Sequence, residues 1–595
     1  MTTPQAPAVT YEGPTRFVAT DRQRQPIRFI IQPGDDLPVA TQLRLVMGWF
    51  RGMRDNNAHR GEQWNNFDAT LESDKGGTIE TLAGVPHEHH QMASARLRGE
   101  LFNHYAIGLV EITDAVPAGA TIELSVHALL SHQAPLDACT FVQLKRPDDE
   151  DFQTVGDVIK LENVPGPASG LEARAKSGPS DGVHAIHVFT HDDIDNPVEI
   201  GLPLCDLESE VLGPGEATAD GVKPTGDDPV RVRVRQPSTG YESLTNPVQR
   251  ATFHGRRVYF GGIHWHSRFS GDGDRPLQQG YAYARDTLGL DFAGVTDHTP
   301  KGFWKQTLAI NEQFHEPGRF VTLPSWEWST NTGHSNIYLR RPDAPGGPEH
   351  ASTANHPGNA QWPDEAIVVP HHTNIRSAEH KPDGSHYWHE FDWSRPNRRV
   401  RLVELLQTRG NFEADTLDDD WGVVTSGIGA SVRDALAMGH RIGFVGGTDN
   451  HTGFPTRDSE MGNGYIGMAC VLAHELTRES IWDAMNDRRT YATSGKPIVC
   501  HWTVNGHEMG EEAKLQRDAV AFSATLHGTA PIERIEVISN GEVVWQSHPD
   551  AFDVTLTDES LPAPPAGNGT SAYYYLRLRQ HDGHRAWLSP VWLDR

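Results

Sequence analysis

Short runs of alternating apolar and polar residues are the main pattern in the first third of the chain. The clearest runs cover residues 27–31, 42–46 and 121–126. Alternation of this kind predicts half-buried β-strands, because successive side chains of a strand point to opposite faces of the sheet. Gly, Pro and Asp are frequent between the runs. We therefore expect residues 1–207 to form a β-rich domain of antiparallel sheets, similar to a β-sandwich.

The pattern changes twice further along the chain. Residues 208–250 carry clustered Gly, Pro, Asp and Ser, which predicts a connecting segment. From 251 to 497 the apolar runs alternate with helical patterns, and this alternation predicts parallel strand pairing in a closed or nearly closed α/β barrel. The predicted strands are 257–264, 291–296, 319–323, 367–369, 400–406 and 441–445, and the predicted helices are 277–288, a stretch from 301, and 430–438.

Strand patterns return after residue 497. Residues 532–538 and 543–545 flank an Asn540-Gly541 pair, and this dipeptide between two apolar runs is typical of a tight hairpin turn. Another strong strand pattern covers residues 573–578. Residues 498–595 are therefore predicted to form a C-terminal β-sandwich-like domain of usual size.

Composition and charge limit the classes of partner. The 595 residues are 37% hydrophobic and carry a formal net charge of −27. A surface this acidic repels nucleic acids and anionic membranes, whereas a bound metal ion would still let a small anionic substrate approach. We see no apolar run long enough for a membrane span and no secretion signal at the start. The 4 cysteines lack metal-binding spacing, so we expect a reduced, cytoplasmic setting.

Histidines and carboxylates cluster at the ends of the predicted barrel strands. His264 and His266 follow the first strand, and residues at i and i+2 of an extended segment face the same way. Barrel enzymes place their active sites at this end of the strands, and unpaired imidazoles and carboxylates are costly to bury. The pattern predicts a multinuclear metal site, for which zinc, manganese and iron all suit the ligand types. The candidate ligands are His264, His266, Asp272, Asp297, His298, Glu327, His334, His371, Asp449 and His451.

In order and spacing, these motifs resemble the polymerase and histidinol phosphatase (PHP) superfamily. The matching segments are His264-x-His266-Ser267 with Asp272, residues 289–298 ending in Asp297-His298, Glu327, His334, Pro370-His371 and Gly447-Thr448-Asp449-x-His451. Asn246-Pro247 and the segments 491–495 and 586–592 also resemble a subgroup catalogued as a domain of unknown function. That subgroup resembles enzymes that hydrolyse carbamate esters.

The resemblance implies a distorted (β/α)7 barrel that holds two or three divalent ions. Carried over to this sequence, the first ion would have the ligands His264, His266, Glu327 and Asp449. Glu327 would bridge to a second ion held by His334 and His371, and Asp272, His298 and His451 would hold a third. His372 is an alternative to His371, which we favour because it follows Pro370. Asp297 is either a candidate proton acceptor or the partner that orients His298.

The chemistry expected of such a site is hydrolysis by metal-activated hydroxide, because bound divalent ions lower the pKa of water. Asp449 or Asp297 would accept the proton of that water, and a histidine such as His298 would protonate the leaving group. Glu404 lies in a predicted strand, where its carboxylate either serves the site or forms an ordinary ion pair. We see no motif for a covalent nucleophile.

Substrate contacts are predicted from residues that follow strand ends or lie in long loops. Arg376, Lys381 and Arg409 either grip an anionic group or are solvated, structural cations. Tyr387 and Trp388 either wall an apolar substrate pocket or anchor their loop to the barrel.

The leading hypothesis is a metal-dependent hydrolase that cleaves a small-molecule ester, with a carboxylic or carbamate ester slightly favoured over the phosphoester typical of the superfamily. An amidohydrolase-like barrel also starts with an HxH motif, but it usually ends with a lone aspartate, unlike Asp449-x-His451. A non-catalytic, metal-stabilised binding protein is a third hypothesis. Three roles are open for the flanking β domains: they pack on the barrel, restrict its entrance, or form a homo-oligomer interface.

Overall fold

The structure is a computed structural model of the 595-residue chain. It describes residues 5–21, 23, 25–47, 67–82, 92–97, 100–128, 134–178, 182–298, 302–330, 333–353, 360–374, 391–415, 421, 429–457, 466–516, 519–564 and 571–595. The chain divides into two compact units. Unit 1 comprises Met1–Ser169, Thr190–Val198 and Gly271–Arg275, and unit 2 comprises Gly170–Phe189, Glu199–Ser270 and Pro276–Arg595.

Two sheets form most of unit 1. One has the strand order β1-β3-β9-β5, and the other has the order β2-β11-β10-β4-β8-β6 with β7 paired to β8. Their apolar residues share one core; in β3, Ile27, Phe29 and Ile31 are buried on one face. These strands confirm the alternating patterns at 27–31, 42–46 and 121–126. The strands are β1 (Ala8–Glu12), β2 (Arg16–Val18), β3 (Gln25–Gln32), β4 (Gln42–Met47), β5 (Phe67–Glu72), β6 (Thr78–Thr81), β7 (Met92–Leu97), β8 (Glu100–Asp114), β9 (Thr121–Ala128), β10 (Leu136–Lys145) and β11 (Gln153–Val164).

The segment expected to connect the domains is instead structured. The Gly and Pro clusters form the turns between short strands, and the alternation in Arg231–Arg235 buries Val232 and Val234 in a small core of their own. The strands of the segment 208–250 are β15 (Glu208–Leu212), β16 (Gly215–Ala217), β17 (Gly221–Pro224), β18 (Arg231–Arg235) and β19 (Glu242–Leu244). They follow β12 (Gly170–Ala175), β13 (His184–His191), β14 (Pro197–Ile200) and a 3-10 turn at Leu204–Asp206.

The strands predicted for the barrel are present, but their pairing is mixed. β20, β21 and β22 pair in parallel over two residues each, and β26 pairs in parallel with β28. In contrast, β23, β24 and β25 form an antiparallel sheet, and β29 pairs antiparallel with β20. Apolar runs identify buried strands without giving their direction. The hydrogen-bonded strands of the described residues therefore do not form a closed ring of parallel strands, unlike the predicted (β/α)7 barrel.

The elements of this part are β20 (Arg257–Gly262), β21 (Phe292–Ala293), β22 (Val321–Thr322), β23 (Ser325–Thr330), β24 (Gly333–Leu339), β25 (Ala366–His371), β26 (Leu402–Gln407), β27 (Gly410–Asn411), β28 (Gly443–Gly446), β29 (Met468–Ala473) and β30 (Thr490–Thr493). The helices are α1 (Leu277–Ala282), continued by a π-turn at Tyr283–Thr287, α2 (Trp304–Phe314), α3 (Val432–Ala437) and α4 (Arg478–Asn486), with 3-10 turns at Arg268–Ser270 and Pro348–Thr353. Among the helices of the described residues, none has both the length and the apolar character required to cross a bilayer.

The C-terminal strands continue the sheet that contains β20. β38 pairs with β30, and β30 pairs with β29, so the order β20-β29-β30-β38-β37-β34-β31 is hydrogen-bonded throughout. The predicted hairpin is confirmed by Asn540 and Gly541, whose φ values of 49° and 88° suit a tight turn between β34 and β35. The strands are β31 (Val499–Val504), β32 (His507–Glu508), β33 (Glu512–Lys514), β34 (Val520–Ser539), β35 (Glu542–Ser547), β36 (Ala551–Leu561), β37 (Ser571–Gln580), β38 (Arg585–Leu588) and β39 (Val591–Asp594).

A buried ion network surrounds Glu413, which lies between β27 and α3. Both of its carboxylate oxygens accept hydrogen bonds from Arg577, at 2.9 and 2.8 Å. Oε1 also accepts from Arg433 at 2.8 Å and Tyr575 at 2.6 Å, while Oε2 accepts from the Trp587 indole at 2.8 Å. Glu413 is fully buried, so this network compensates the cost of removing its charge from water.

The network predicts a loss of stability in acid. Burial disfavours the Glu413 carboxylate, but Arg577 and Arg433 outweigh this effect and lower its pKa from 4.5 to about 2. Because the folded pKa lies below the unfolded value, the stabilisation is complete above pH 4.5 and is lost as the pH falls through about 2. It is worth roughly 3 kcal/mol. Urea unfolding at several acidic pH values measures it, and an equal pH slope in wild type and Glu413→Gln would contradict this assignment.

Candidate metal centre

The segments that follow β20 and β28 run side by side and bring their polar residues together. The carbonyl oxygen of His264 accepts hydrogen bonds from the backbone N–H groups of Thr448 and Asp449, at 3.2 and 3.0 Å. The N–H of His266 donates to the carbonyl of Asn450 at 2.9 Å. These bonds fix the HxH motif and the DxH motif in one register, so that their side chains converge.

A glycine and an unusual backbone conformation make this approach feasible. A Cβ atom on Gly447 would lie 2.2 Å from Oε2 of Glu404 and 2.6 Å from Cβ of His264. Asp449 adopts a left-handed backbone with φ of 54°. Such a conformation is uncommon for a residue other than glycine and clusters at functional sites.

Four donor atoms surround a common point in the interior. Nε2 of His264 and Nε2 of His266 each lie 3.3 Å from Oε2 of Glu327. The same two nitrogens each lie 3.4 Å from Oδ1 of Asp449. An ion with bonds of about 2.1 Å in tetrahedral geometry has ligand atoms roughly 3.4 Å apart. The structure thus brings these four predicted ligands together at metal-binding separations.

The second carboxylate oxygen of Glu327 faces another group of histidines. Its Oε1 lies 2.8 Å from Nδ1 of His334 and 3.3 Å from Nε2 of His371. His334 and His371 are register partners across β24 and β25, which explains their proximity. Ring nitrogens of His334, His371 and His372 all lie within 4.8 Å of one another. Both adjacent histidines, His371 and His372, therefore stay candidate ligands of the second ion.

A third group consists of stacked imidazoles. The His266 ring lies 4.3 Å from the His451 ring and 4.5 Å from the His298 ring. These three histidines each offer a ring nitrogen within 4.8 Å of the others. Asp272 belongs to the segment Gly271–Arg275 of unit 1, so its place beside them stays a prediction.

Several polar residues hold the ligands in position. Oε2 of Glu404 lies 2.8 Å from Nδ1 of His264, the ring nitrogen opposite the one that faces Glu327. Gln407 donates to Oε1 of Glu404 at 3.0 Å and to Oδ2 of Asp449 at 2.9 Å. A carboxylate behind a ligating histidine fixes the orientation of the ring and raises its basicity. Glu404 therefore contacts the site, as one of its two sequence interpretations proposed.

Serines support the other histidines. The Ser270 hydroxyl lies 3.1 Å from Nδ1 of His266 and accepts the backbone N–H of His298 at 3.1 Å. The Ser329 hydroxyl lies 2.8 Å from Nδ1 of His298. Both oxygens of Asp297 accept hydrogen bonds from Ser267, at 2.6 and 2.7 Å. Asp297 thus anchors the turn that follows the HxH motif.

Buried charges interact strongly within the cluster. Burial disfavours the Glu327 carboxylate, yet His298 and His371 hold its pKa well below the usual range. Burial is likewise outweighed at Asp449, where Arg409 and His264 lower the pKa. Burial opposes protonation of His264, but Glu404 and Asp449 raise its pKa to about 9, so an ion that binds Nε2 would have to displace a proton from this ring. Glu327 and Asp449 are therefore ionised at neutral pH and attract positive charge.

The donor set fits divalent cations. Burial lowers the pKa of His371 and of His372, which favours the neutral form of each ring, the form that binds a metal. Nδ1 of His371 is buried and makes no hydrogen bond to the residues that the structure describes. With imidazole and carboxylate donors, zinc, manganese and iron remain the suitable metals.

Of the predicted substrate contacts, the structure describes Arg409 alone. The guanidinium group of Arg409 contacts Asp449 and donates to Gln407 at 3.0 Å, so it belongs to the support of the metal ligands. The other predicted substrate contacts, Arg376, Lys381, Tyr387 and Trp388, lie outside the described residues.

Sequence reasoning missed three supporting residues, Gln407, Ser270 and Ser329. Gln407 follows Glu404 by three positions in the same strand, and regular alternation would place their side chains on opposite faces. The register shift between Glu404 and Leu406 is not visible in the sequence, and the two serines had no signal either.

Comparison with protein families and curated proteins identifies relatives without an assigned activity. Residues 458–529 match a family model described as a protein of unknown function (DUF3604), and the match includes the segment 491–495 noted in the sequence. Uncharacterized proteins of Chlamydia muridarum and Chlamydia pneumoniae are each 25% identical, over 400 and 401 residues. Each match covers 61% of this chain, which spans 62% of the length of each relative.

Among solved structures, the chain is similar to a two-domain protein from Bacteroides vulgatus described as containing a predicted PHP-like metal-dependent phosphoesterase. The identity is 15%, the match covers 55% of this chain and 92% of that chain, and the TM-score is 0.27. A TM-score of this size does not establish a common fold.

Proposed function

We propose that this protein is a metal-dependent hydrolase that cleaves a small-molecule ester. One observation carries the proposal: the two oxygens of Glu327 face two groups of donors, one with His264 and His266 and the other with His334 and His371. A carboxylate in this position suits two adjacent divalent ions. Bound at these residues, such ions supply Lewis-acid polarisation and lower the pKa of coordinated water.

The first ion would have the ligands His264, His266, Glu327 and Asp449. Glu404, through its contact with Nδ1 of His264, keeps Nε2 directed at that ion. The second ion would be held by His334 and His371, with His372 as the adjacent alternative. His298 and His451 would hold a third ion.

When His298 does not bind a third ion, it is the residue to which we assign proton transfer, because an imidazole nitrogen that coordinates a metal carries no proton to donate. The His298 side chain is 29% exposed, whereas the side chains of His264 and His371 are fully buried, so its ring can reach a leaving group at the surface of the centre. Asp297 is a positioning residue, because both of its oxygens already accept hydrogen bonds from Ser267. Arg409 keeps Asp449 ionised, which disfavours Asp449 as a proton acceptor.

We propose a distorted (β/α)7 barrel as the scaffold of the centre. The parallel ladders β20-β21-β22 and β26-β28 support this arrangement, as does the parallel bridge between Val368 of β25 and Val400. The candidate ligands follow the ends of β20, β21, β25 and β28 or lie within β23 and β24, so the ligand order agrees with such a barrel.

The ester is proposed to be a carboxylic or carbamate ester. Arg409, the predicted anion-binding residue that the structure describes, is engaged by Asp449 and Gln407. Because these contacts already occupy its guanidinium group, Arg409 is not placed to bind a dianionic phosphate monoester, which favours a neutral ester.

Metal removal and restoration test the proposal. Chelated protein is expected to lose turnover of aryl acetate, aryl carbamate or aryl phosphate, and zinc, manganese or iron is expected to restore it. Elemental analysis of the same samples links activity to bound metal. Full activity in metal-free protein would reject the mechanism. Fully loaded protein that cleaves none of the three esters would favour the non-catalytic alternative.

A further inference from the structure

A second cluster of metal-ligating residues uses none of the residues of the centre around Glu327. It consists of His254, His501 and Glu508, which each offer one ligand atom within 4.8 Å of the other two. His501 lies in β31, Glu508 lies in β32, and His254 precedes β20. Residues from two separate regions of unit 2 therefore meet at this point.

The buried members of the cluster are arranged to bind a cation. The side chains of Glu508 and His501 are only 6% and 10% exposed. Nε2 of His501 is buried, makes no hydrogen bond to the described residues, and lies 3.7 Å from Oε1 of Glu508. Phe253 stacks on the His501 ring at 4.7 Å and fixes its orientation. A buried nitrogen without a hydrogen bond is costly unless a ligand satisfies it.

His254, the exposed member of the cluster, lies in a tight turn whose backbone conformation is uncommon for histidine. Backbone hydrogen bonds of 2.9 and 3.0 Å join Phe253 and Arg256 in both directions. His254 and Gly255 at the centre of the turn have φ values of 51° and 77°. Asn, Asp and Gly are the residues that such a turn prefers. A histidine here accepts backbone strain and places its Nδ1 against Oε1 of Glu508.

The two carboxylate oxygens of Glu508 have different partners. Its Oε2 accepts a hydrogen bond from Arg256 at 2.9 Å, so the guanidinium group holds the carboxylate in place. Its Oε1 faces both imidazoles. The side chain of His254 is 61% exposed, which lets a metal ion enter from solvent and leaves space for water as a further ligand.

We propose that His254, His501 and Glu508 form a zinc site that fastens the turn before β20 to the hairpin of β31 and β32. Two imidazole nitrogens and one carboxylate oxygen with an open position match the ligand types that zinc takes. Zinc bonds of about 2.1 Å need ligand atoms roughly 3.4 Å apart, so the exposed His254 ring, which contacts Oε1 of Glu508 directly, would move away from that oxygen to admit the ion.

The test measures zinc per chain in the full-length protein after equilibration with buffered zinc and removal of free metal. His254→Asn removes the imidazole but keeps a residue that this turn favours, so it tests the site without a folding defect. His501→Gln is the second variant. His581→Asn is the matched control, because His581, just after β37, forms an exposed pair at 2.7 Å with Asp550, just before β36.

His254→Asn and His501→Gln are each expected to hold one zinc ion fewer than wild type and His581→Asn. The zinc-dependent rise in Tm should shrink in the same two variants. Ester turnover in His254→Asn should equal that of wild type, which separates this site from the proposed catalytic centre. Equal zinc content in all four proteins would overturn the proposal. Loss of zinc in His501→Gln together with unfolding, while His254→Asn retains full zinc, would also overturn it.

Discussion

Glu327→Gln is expected to reduce ester turnover by more than the roughly 10–100-fold that loss of a supporting residue costs at a metal site. The substitution keeps the size of the side chain but removes the charge that faces both groups of donors. Its two oxygens are replaced by one oxygen and one amide nitrogen, which cannot bind a metal ion. The expected result is a lower metal content as well as a lower kcat.

Glu404→Gln is the matched control. It makes the same glutamate-to-glutamine change at a residue that contacts the proposed ligand His264 and is not itself a proposed metal ligand. It keeps the interior packing but weakens the hold on Nδ1 of His264. We expect a loss of about 10–100-fold, with most of the bound metal retained. Steady-state kinetics and elemental analysis on the same preparations distinguish the two variants. Equal effects of both substitutions would contradict the different roles given to Glu327 and Glu404.

Glu413→Gln is expected to lower the free energy of unfolding by about 3–5 kcal/mol, as removal of one partner from a buried ion network does. The neutral amide leaves Arg577 and Arg433 facing each other in the interior without their shared carboxylate. It also places an amide N–H group near the hydrogens of Tyr575 and Trp587, which donate to Glu413 in the wild type.

Urea unfolding followed by tryptophan fluorescence measures this effect, since Trp587 contacts the network directly. Glu542→Gln serves as the control, because Glu542 is exposed at the start of β35. An exposed substitution of this kind is expected to change stability by less than about 0.5 kcal/mol. A Glu413→Gln variant as stable as the control would mean that the network contributes nothing to folding.

Much of the centre was predictable because its ligands follow strand ends. The positions of His264, His266 and Asp449 depend on short local motifs after buried strands, and such motifs are visible in the sequence. The structure brings these three residues together with Glu327, as the predicted ligand set requires. Their assignment as metal ligands stays a proposal until metal is measured.

Other features of the centre depend on which strands pair with each other, and the sequence does not reveal strand pairing. Glu327 was expected to end a strand, but it lies inside β23, where an antiparallel partner brings His334 back beside it. The roles of Gln407 and Arg409 depend on distances between side chains from different strands. The β-rich N-terminal and C-terminal parts were recognised because alternation shows strands directly. The strands in 208–250 were missed because their turns outweighed their short apolar runs.

The continuous hydrogen bonding from β20 through β30 to β38 has a consequence for how the protein is made. β20 and β29 leave the ribosome well before β38, so β30 has an unpaired edge until the later strand arrives. An exposed edge of this kind invites pairing with other chains and recruits chaperones. The nascent chain is therefore vulnerable to aggregation during this interval of synthesis, and slower translation of the final strands should lower its yield.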